Sequence, residues 1–348
     1  MNQIIYEDIV DICNEKLPWE KLWNMRLMVT GANGFIGSYI IYTLLELNRI
    51  KNANITIFAL CRDRKRTEEK FADYLNEKKL VFIYQDICEE IDDLYKSDII
   101  LHAASPNTPY LIQKEPYRVF EANVMGYQNI LKKSICWGTS DILFFSSSAV
   151  YGYSTPSEGA DETYRSTIDF TNAKDVYALS KQQCEMMTVS VKNQLTCKIK
   201  TIRPFVIYGP GEGFSKNKAM TDFVKNYIDE ENIVMKSKGE VIRSYLYIKD
   251  AVKAIFYVLL LGSDDVYNIA SRKNICDIKK LASVFCDLNT KLNIEYKIKN
   301  QEYLNSQWNI LIGKTDKIEA LGWKEETLLE EGVSRMVRWA KDSDFDKI

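Results

Sequence analysis

Two rhythms of apolar residues alternate along this chain. Short, nearly unbroken apolar runs occur at Arg26–Thr30, Ile55–Leu60, Leu80–Gln85, Asp98–His102, Ile142–Ser146 and Lys198–Arg203. Each has the length and branched or aromatic content of a buried strand. Between them, near 35–48, 64–77, 116–135 and 173–193, apolar residues fall three and four apart, the spacing of one helical face. Such alternation predicts an α/β protein with a doubly wound parallel sheet, whose ligands sit at the carboxyl ends of the strands.

After Pro204 the regularity loosens. Residues 205–247 and 263–348 mix short strands, loops and helices, while 248–262 reads as one helix returning to the main domain. The expected division is a helical arm at 1–24, a dinucleotide-binding domain at 25–204 plus 248–262, and a smaller mixed α/β substrate lobe at 205–247 plus 263–348. Pro18, Trp19 and Trp23 are read as anchors of the arm.

Composition narrows the function classes. The 46 basic residues nearly balance 48 acidic ones, which argues against a protein built for nucleic acid or membrane surfaces. Eight scattered cysteines without a C-x-x-C pair, and a single histidine, point away from zinc, any other metal, and a disulfide framework. The N-terminus lacks the basic-then-apolar layout of a signal peptide, and the longest apolar run, Ala254 to Leu261, is too short for a bilayer. A cytoplasmic location with reduced thiols is the expectation.

The first strand runs into Thr30-Gly31-Ala32-Asn33-Gly34-Phe35-Ile36-Gly37 and then a helix. Gly31 permits a tight turn, Gly34 lets backbone N–H groups approach a pyrophosphate, and Gly37 lets helix and strand pack closely. The helix start supplies partial positive charge for the phosphates. The strand before and helix after are the context this Rossmann-type pattern needs. At the second strand end, Arg62 suits a 2′-phosphate, so NADP(H) is favoured; Asp63 turned toward a ribose would leave NAD(H) possible. Asp86, with Ile87 beside it, is read either as an adenine acceptor or as a turn cap. Ala103, Ala104 and Ser105 close the fourth strand with small residues that permit close approach, and His102 is read as a packed histidine rather than a catalyst.

Tyr177 and Lys181 are four apart, hence on one helical face. A nearby ammonium favours phenolate, which lets the tyrosine exchange a proton with a carbinol at neutral pH. The fifth strand ends Ser146-Ser147-Ser148-Ala149-Val150-Tyr151-Gly152, so a strand-end hydroxyl can bond the same substrate oxygen.

Together, TGANGFIG, HAAS, SSSAVYG, Tyr177-x-x-x-Lys181, Arg203-Pro204-x-x-x-Tyr208-Gly209-Pro210 and Arg243-Ser-Tyr-Leu-Tyr247-x-x-Asp250 resemble the extended short-chain dehydrogenase/reductase family, in its nucleotide-sugar branch. The likeness runs from about Arg26 to the C-terminus. It implies Ser147, Tyr177 and Lys181 as the catalytic set, with Tyr177 as acid/base and Lys181 also on the nicotinamide ribose. It implies Ser105, Ser148, Tyr208 and Arg243 on the substrate side, Arg243 pairing with a diphosphate. Asn123 matches a family asparagine that supports the active-site end of the sheet. A nucleoside-diphosphate sugar, a homodimer through helices 116–135 and 173–193, and a role in making cell-surface sugar precursors are further implications.

Two departures from the family pattern change the expected reaction. Dehydratases of this kind carry an acid pair, and decarboxylases a glutamate, where this chain has Ser148-Ala149. Alanine can neither take a C5 proton nor protonate a leaving hydroxyl. Val206 replaces an asparagine that contacts substrate in many relatives. The expected activity is therefore hydride transfer at sugar C4 without elimination, as a 4-ketoreductase or a 4-epimerase. A 4,6-dehydratase or UDP-glucuronate decarboxylase is the alternative, and a non-catalytic NAD(P)-binding regulator the distant one.

Overall fold

A computed structural model describes residues 1–192, 194, 197–213, 218–298 and 309–343. In chain order its helices are α1 Gln3–Cys13, α2 Phe35–Lys51, α3 Arg64–Lys70, α4 Pro109–Lys114, α5 Pro116–Trp137, α6 Val176–Val191, α7 Ala219–Ile228, α8 Ile248–Leu261, α9 Ile278–Leu288, α10 Asp316–Glu319 and α11 Leu329–Asp342. The strands are β1 Arg26–Thr30, β2 Thr56–Cys61, β3 Leu80–Tyr84, β4 Ile99–His102, β5 Asp141–Phe145, β6 Lys198–Pro204, β7 Val206–Tyr208, β8 Ile233–Met235, β9 Ile242–Tyr247, β10 Val266–Ile269, β11 Ile275–Asp277, β12 Ile294–Tyr296 and β13 Ile310–Leu311.

Seven strands form the main sheet in the order β10-β6-β5-β4-β1-β2-β3, and every pairing is parallel. Leu27, Met28 and Val29 of β1 are fully buried, as both faces of a doubly wound sheet require. Chain order reverses between β1 and β4, so their carboxyl ends open a crevice where a ligand can enter. A second sheet runs β11-β9-β13 with β7 also paired to β9, and β8 pairs with β12. Among the described residues, no helix is long and apolar enough to cross a membrane.

The structure revises several expectations. The segment 64–77 is not one helix: α3 stops at Lys70 and a short 3-10 turn covers Ala72–Tyr74. Phe71 leaves helical geometry there and buries its ring 5.2 Å from Tyr42 and 5.5 Å from Phe82. Residues 266–269, assigned by sequence to the smaller lobe, are instead the edge strand of the main sheet, because β10 pairs with β6. The short α4 was not foreseen; Thr108 caps it through the Leu111 amide, and Pro116 begins the next helix. Residue 193 and parts of the 205–247 and 263–348 segments lie outside the described residues.

The N-terminal arm packs against both the main domain and the smaller lobe. Trp19 is buried edge-on against Phe256 at 5.1 Å, whereas Trp23 is exposed. Buried Asp8 accepts from Tyr39, Tyr247 and Arg335, while buried Lys253 of α8 pairs with Asp11, Glu15 and Glu326. Burial raises the Asp8 carboxyl to about 6, against the pull of Arg335 and the Tyr247 hydroxyl.

Candidate active site

The crevice between β1 and β4 opens into a cleft of about 1310 Å³ that continues to the smaller lobe. On the sheet side its wall begins at the glycine turn. Gly31 has φ +67°, and a Cβ there would stand 2.8 Å from the Ala104 amide nitrogen. A Cβ on Gly37 would lie 2.4 Å from the Gly31 carbonyl oxygen, so helix and turn can approach only through glycine. Gly34 is the N-cap of α2 and makes no side-chain cap bond, which leaves the first helical N–H groups open to an anion. Asn33, Phe35, Ile36, Ile87, Ala103 and Ala104 line the same wall. These features fit a dinucleotide pyrophosphate.

At the end of β2, Arg62 lines the cleft and forms a loose ion pair with Asp86 at 3.6 Å. Asp63 also lines the cleft and caps α3 by accepting from the Arg66 amide at 3.0 Å. Asp86 accepts from the Cys88 amide at 3.0 Å, the turn-capping geometry, while still facing the cleft. Burial pushes its carboxyl up, but the Cys88 bonds and Arg62 outweigh that and hold it below the usual range. His102 is buried, 2.9 Å from the Thr30 hydroxyl and stacked on Tyr127 at 5.5 Å. Burial, reinforced by nearby Lys181, lowers its imidazole to about 3, so it is neutral packing and not an acid/base.

Tyr177, Lys181, Ser147 and Ser105 all face the cleft. The side chains of Ser147 and Ser105 stand beside the Tyr177 phenol. Burial raises its pKa above the ordinary value, and those two hydroxyls oppose the rise. Lys181 is 1% exposed, donates to the Phe145 carbonyl at 2.7 Å, and lies 5.2 Å over the Phe144 ring. Burial lowers its ammonium to about 8, partly offset by Cys184 and Glu185. Ser105 donates to Asn123 at 2.7 Å, Asn123 donates to Ser180 at 2.8 Å, and Ser180 donates to the Tyr177 carbonyl at 2.8 Å. Buried Asn123 thus ties the segment after β4 to the helix that carries the tyrosine.

Two expected substrate contacts are displaced. Ser148 is buried and does not line the cleft, because the chain turns inward into a 3-10 helix at Ser148–Tyr151. Tyr208 is fully buried in the cleft wall, and its hydroxyl donates to the Leu329 carbonyl at 3.5 Å rather than facing a ligand. Ala149 is buried, and the described strand end 146–149 carries no carboxylate. Arg243 does line the cleft; burial lowers its guanidinium pKa to about 10, and its Nη1 donates to the Ile242 carbonyl at 2.8 Å.

Beyond Arg243, the sequence leaves the charged groups of the far wall unmarked. Glu212 is buried beside the cleft and pairs with Lys218 at 3.2 Å, while Asp222 pairs with Lys236 at 2.6 Å. Nothing in local spacing marks these four, since two loops and α7 bring them together. Glu185 was also missed, although its position four residues after Lys181 was a visible signal.

Residues 27–270 match the NAD dependent epimerase/dehydratase family, and the chain belongs to it. Human dTDP-D-glucose 4,6-dehydratase is 25% identical over 342 residues, covering 93% of this chain and 94% of the relative. UDP-glucuronic acid decarboxylase 3 of Arabidopsis thaliana is 24% identical, covering 90% of this chain and 88% of its own. In fold, the chain is similar to UDP-glucose 4-epimerase of Thermotoga maritima with UDP-glucose, at a TM-score of 0.79 and 22% identity, covering 91% of this chain and 99% of that one.

Proposed function

We propose that this protein catalyses hydride transfer at C4 of a nucleoside-diphosphate sugar, by reducing a 4-keto sugar or inverting C4. The observation that carries this reading is the meeting of the Tyr177, Ser147 and Ser105 hydroxyls in one cleft with the Gly31 turn. Tyr177 would exchange a proton with the C4 oxygen, while Ser147 holds that oxygen in place. Buried Lys181 supplies the positive charge that makes phenolate accessible once the cleft is filled. Arg243, on the far wall, would face the diphosphate, where a planar cation makes paired bonds. A bound nicotinamide would donate or accept the hydride. Arg62 favours NADP(H) at the adenosine end; NAD(H) remains compatible with the rest of the wall.

Dehydration and decarboxylation, the activities named for the human and Arabidopsis relatives, form the second reading. The strand end speaks against them. Ala149 offers no acid or base where those reactions need one, and Ser148 is turned away from the cleft. A homodimer is part of the proposal: Tyr117, Phe120 and Met125 of α5, with Met186 and Val189 of α6, expose apolar surface on two packed helices.

The test mixes NADPH with a 4-keto sugar nucleotide and follows loss of the reduced-nicotinamide absorbance. Consumption that disappears in Tyr177→Phe while cofactor binding persists supports the reductase. Bound NAD in the purified protein, with interconversion of C4 epimers and no NADPH turnover, supports the epimerase. Wild-type rates in Tyr177→Phe would remove the reading altogether.

A further inference from the structure

Three residues of α6 spaced four apart reach three successive residues at the end of β5. The Tyr177 phenol stands beside the Ser147 side chain, Lys181 donates to the Phe145 carbonyl at 2.7 Å, and Glu185 accepts from the Ser146 hydroxyl at 2.5 Å. The helical repeat stacks the three on one face, so the helix grips the strand end across its first three turns. The first two belong to the reaction proposed above. The third has no chemical role there.

Glu185 is itself held firmly. Arg203 on β6 donates from Nε to one of its oxygens at 2.9 Å and from Nη2 to the other at 2.6 Å. Such a forked pair fixes both position and angle of the carboxylate. Arg203 also donates to the Tyr151 hydroxyl at 2.9 Å and to the Glu162 carbonyl at 2.9 Å. Tyr151 in turn donates to Asn268 of β10 at 2.6 Å. The carboxylate is therefore braced from β6 and β10, and it passes that brace to the residue directly before Ser147.

We infer that Glu185 is a positioning residue: clamped by Arg203, it fixes Ser146 and so sets Ser147 against Tyr177, while its negative charge supports the ammonium of Lys181 one helical turn away. A surface glutamate would not be gripped on both oxygens, and a purely structural ion pair would have no reason to extend to the serine beside the site. The charged and titratable groups facing Lys181 are Cys184 and Glu185 from its own helix and neutral His102 from β4. Glu185 is the one anion among them. Burial works against the lysine's charge, and this carboxylate works for it.

The inference rests on Tyr177 and Lys181 acting as proposed, and Tyr177→Phe in the same assay separates the two failures. If that variant turns over normally, the reaction assignment falls; if it is dead while Glu185 variants behave as wild type, only the positioning role falls. Glu185→Gln keeps the shape and an acceptor for Ser146 but removes the charge. The expected result is a fall in kcat of roughly tenfold or more, with KM for sugar nucleotide and cofactor unchanged, as small misplacements of reacting groups produce. The alkaline limb of its kcat–pH profile should also move toward lower pH, because Lys181 loses its supporting anion. A merely structural ion pair would leave that limb in place, so an unmoved limb overturns the inference, as does an unchanged kcat. Should Glu185→Gln not fold, Ser146→Ala removes only the serine bond. A fall in kcat of a few fold at constant KM then supports the positioning role, and a wild-type kcat overturns it.

Discussion

The Lys181 ammonium donates to the Phe145 carbonyl at 2.7 Å, which locks the helix carrying the phenol to the strand carrying the serines. The same burial that makes this bond rigid lowers the lysine to about 8. Its charge is thus present below that pH and lost above it. Turnover should fall along an alkaline limb with an apparent pKa near 8. In Lys181→Arg, whose guanidinium does not titrate in this range, any residual activity should lack that limb. The linkage to stability has the opposite sense. The folded value lies below the unfolded one of 10.5, so the unfolded chain holds more protons between them and stability rises with pH across that window. Profiles of kcat and of urea midpoint against pH check both statements, and a flat profile of kcat from pH 7 to pH 10 would contradict the first.

Arg62 is exposed at the cofactor end of the cleft, paired only loosely with Asp86. Arg62→Ala should weaken NADPH binding by about tenfold or more, the worth of a charge-assisted hydrogen bond, and leave NADH within about twofold. Fluorescence titration of both cofactors measures this. Equal losses would mean that Arg62 serves Asp86 and the surface, not a 2′-phosphate.

Gly37→Ala places a methyl 2.4 Å from the Gly31 carbonyl oxygen, a backbone atom that cannot move without opening the turn. Destabilisation of about 1–3 kcal/mol is expected from overpacking of this kind. Dinucleotide binding should be lost with it. Wild-type cofactor affinity in a folded Gly37→Ala protein would show that the turn does not hold the pyrophosphate.

Much of this was legible in the sequence because the signals are local. The glycine turn, the Tyr177–Lys181 spacing and the buried strands all follow from neighbours within a few residues. Glu185 apart, the misses depend on contacts that only the folded chain makes. Phe71 ends α3 because Phe82 and Tyr42 offer it a buried site, and β10 joins the main sheet because β6 has a free edge. Ser147 and Ser148 are indistinguishable as letters, yet the inward turn at 148–151 leaves only the first in the cleft. Asp222 and Lys236 meet only after the chain has folded.

The central claim, hydride transfer at C4 without elimination, is tested most directly by running the reaction in heavy water on a panel of uridine and thymidine diphosphate hexoses, with reduced and oxidised nicotinamides. Product NMR then reads C4, C5 and C6 at once. The product should show a changed configuration or oxidation state at C4, with the C5 proton unexchanged and the C6 group intact. A 4-keto-6-deoxy sugar carrying solvent deuterium, or a pentose formed with carbon dioxide, would contradict it.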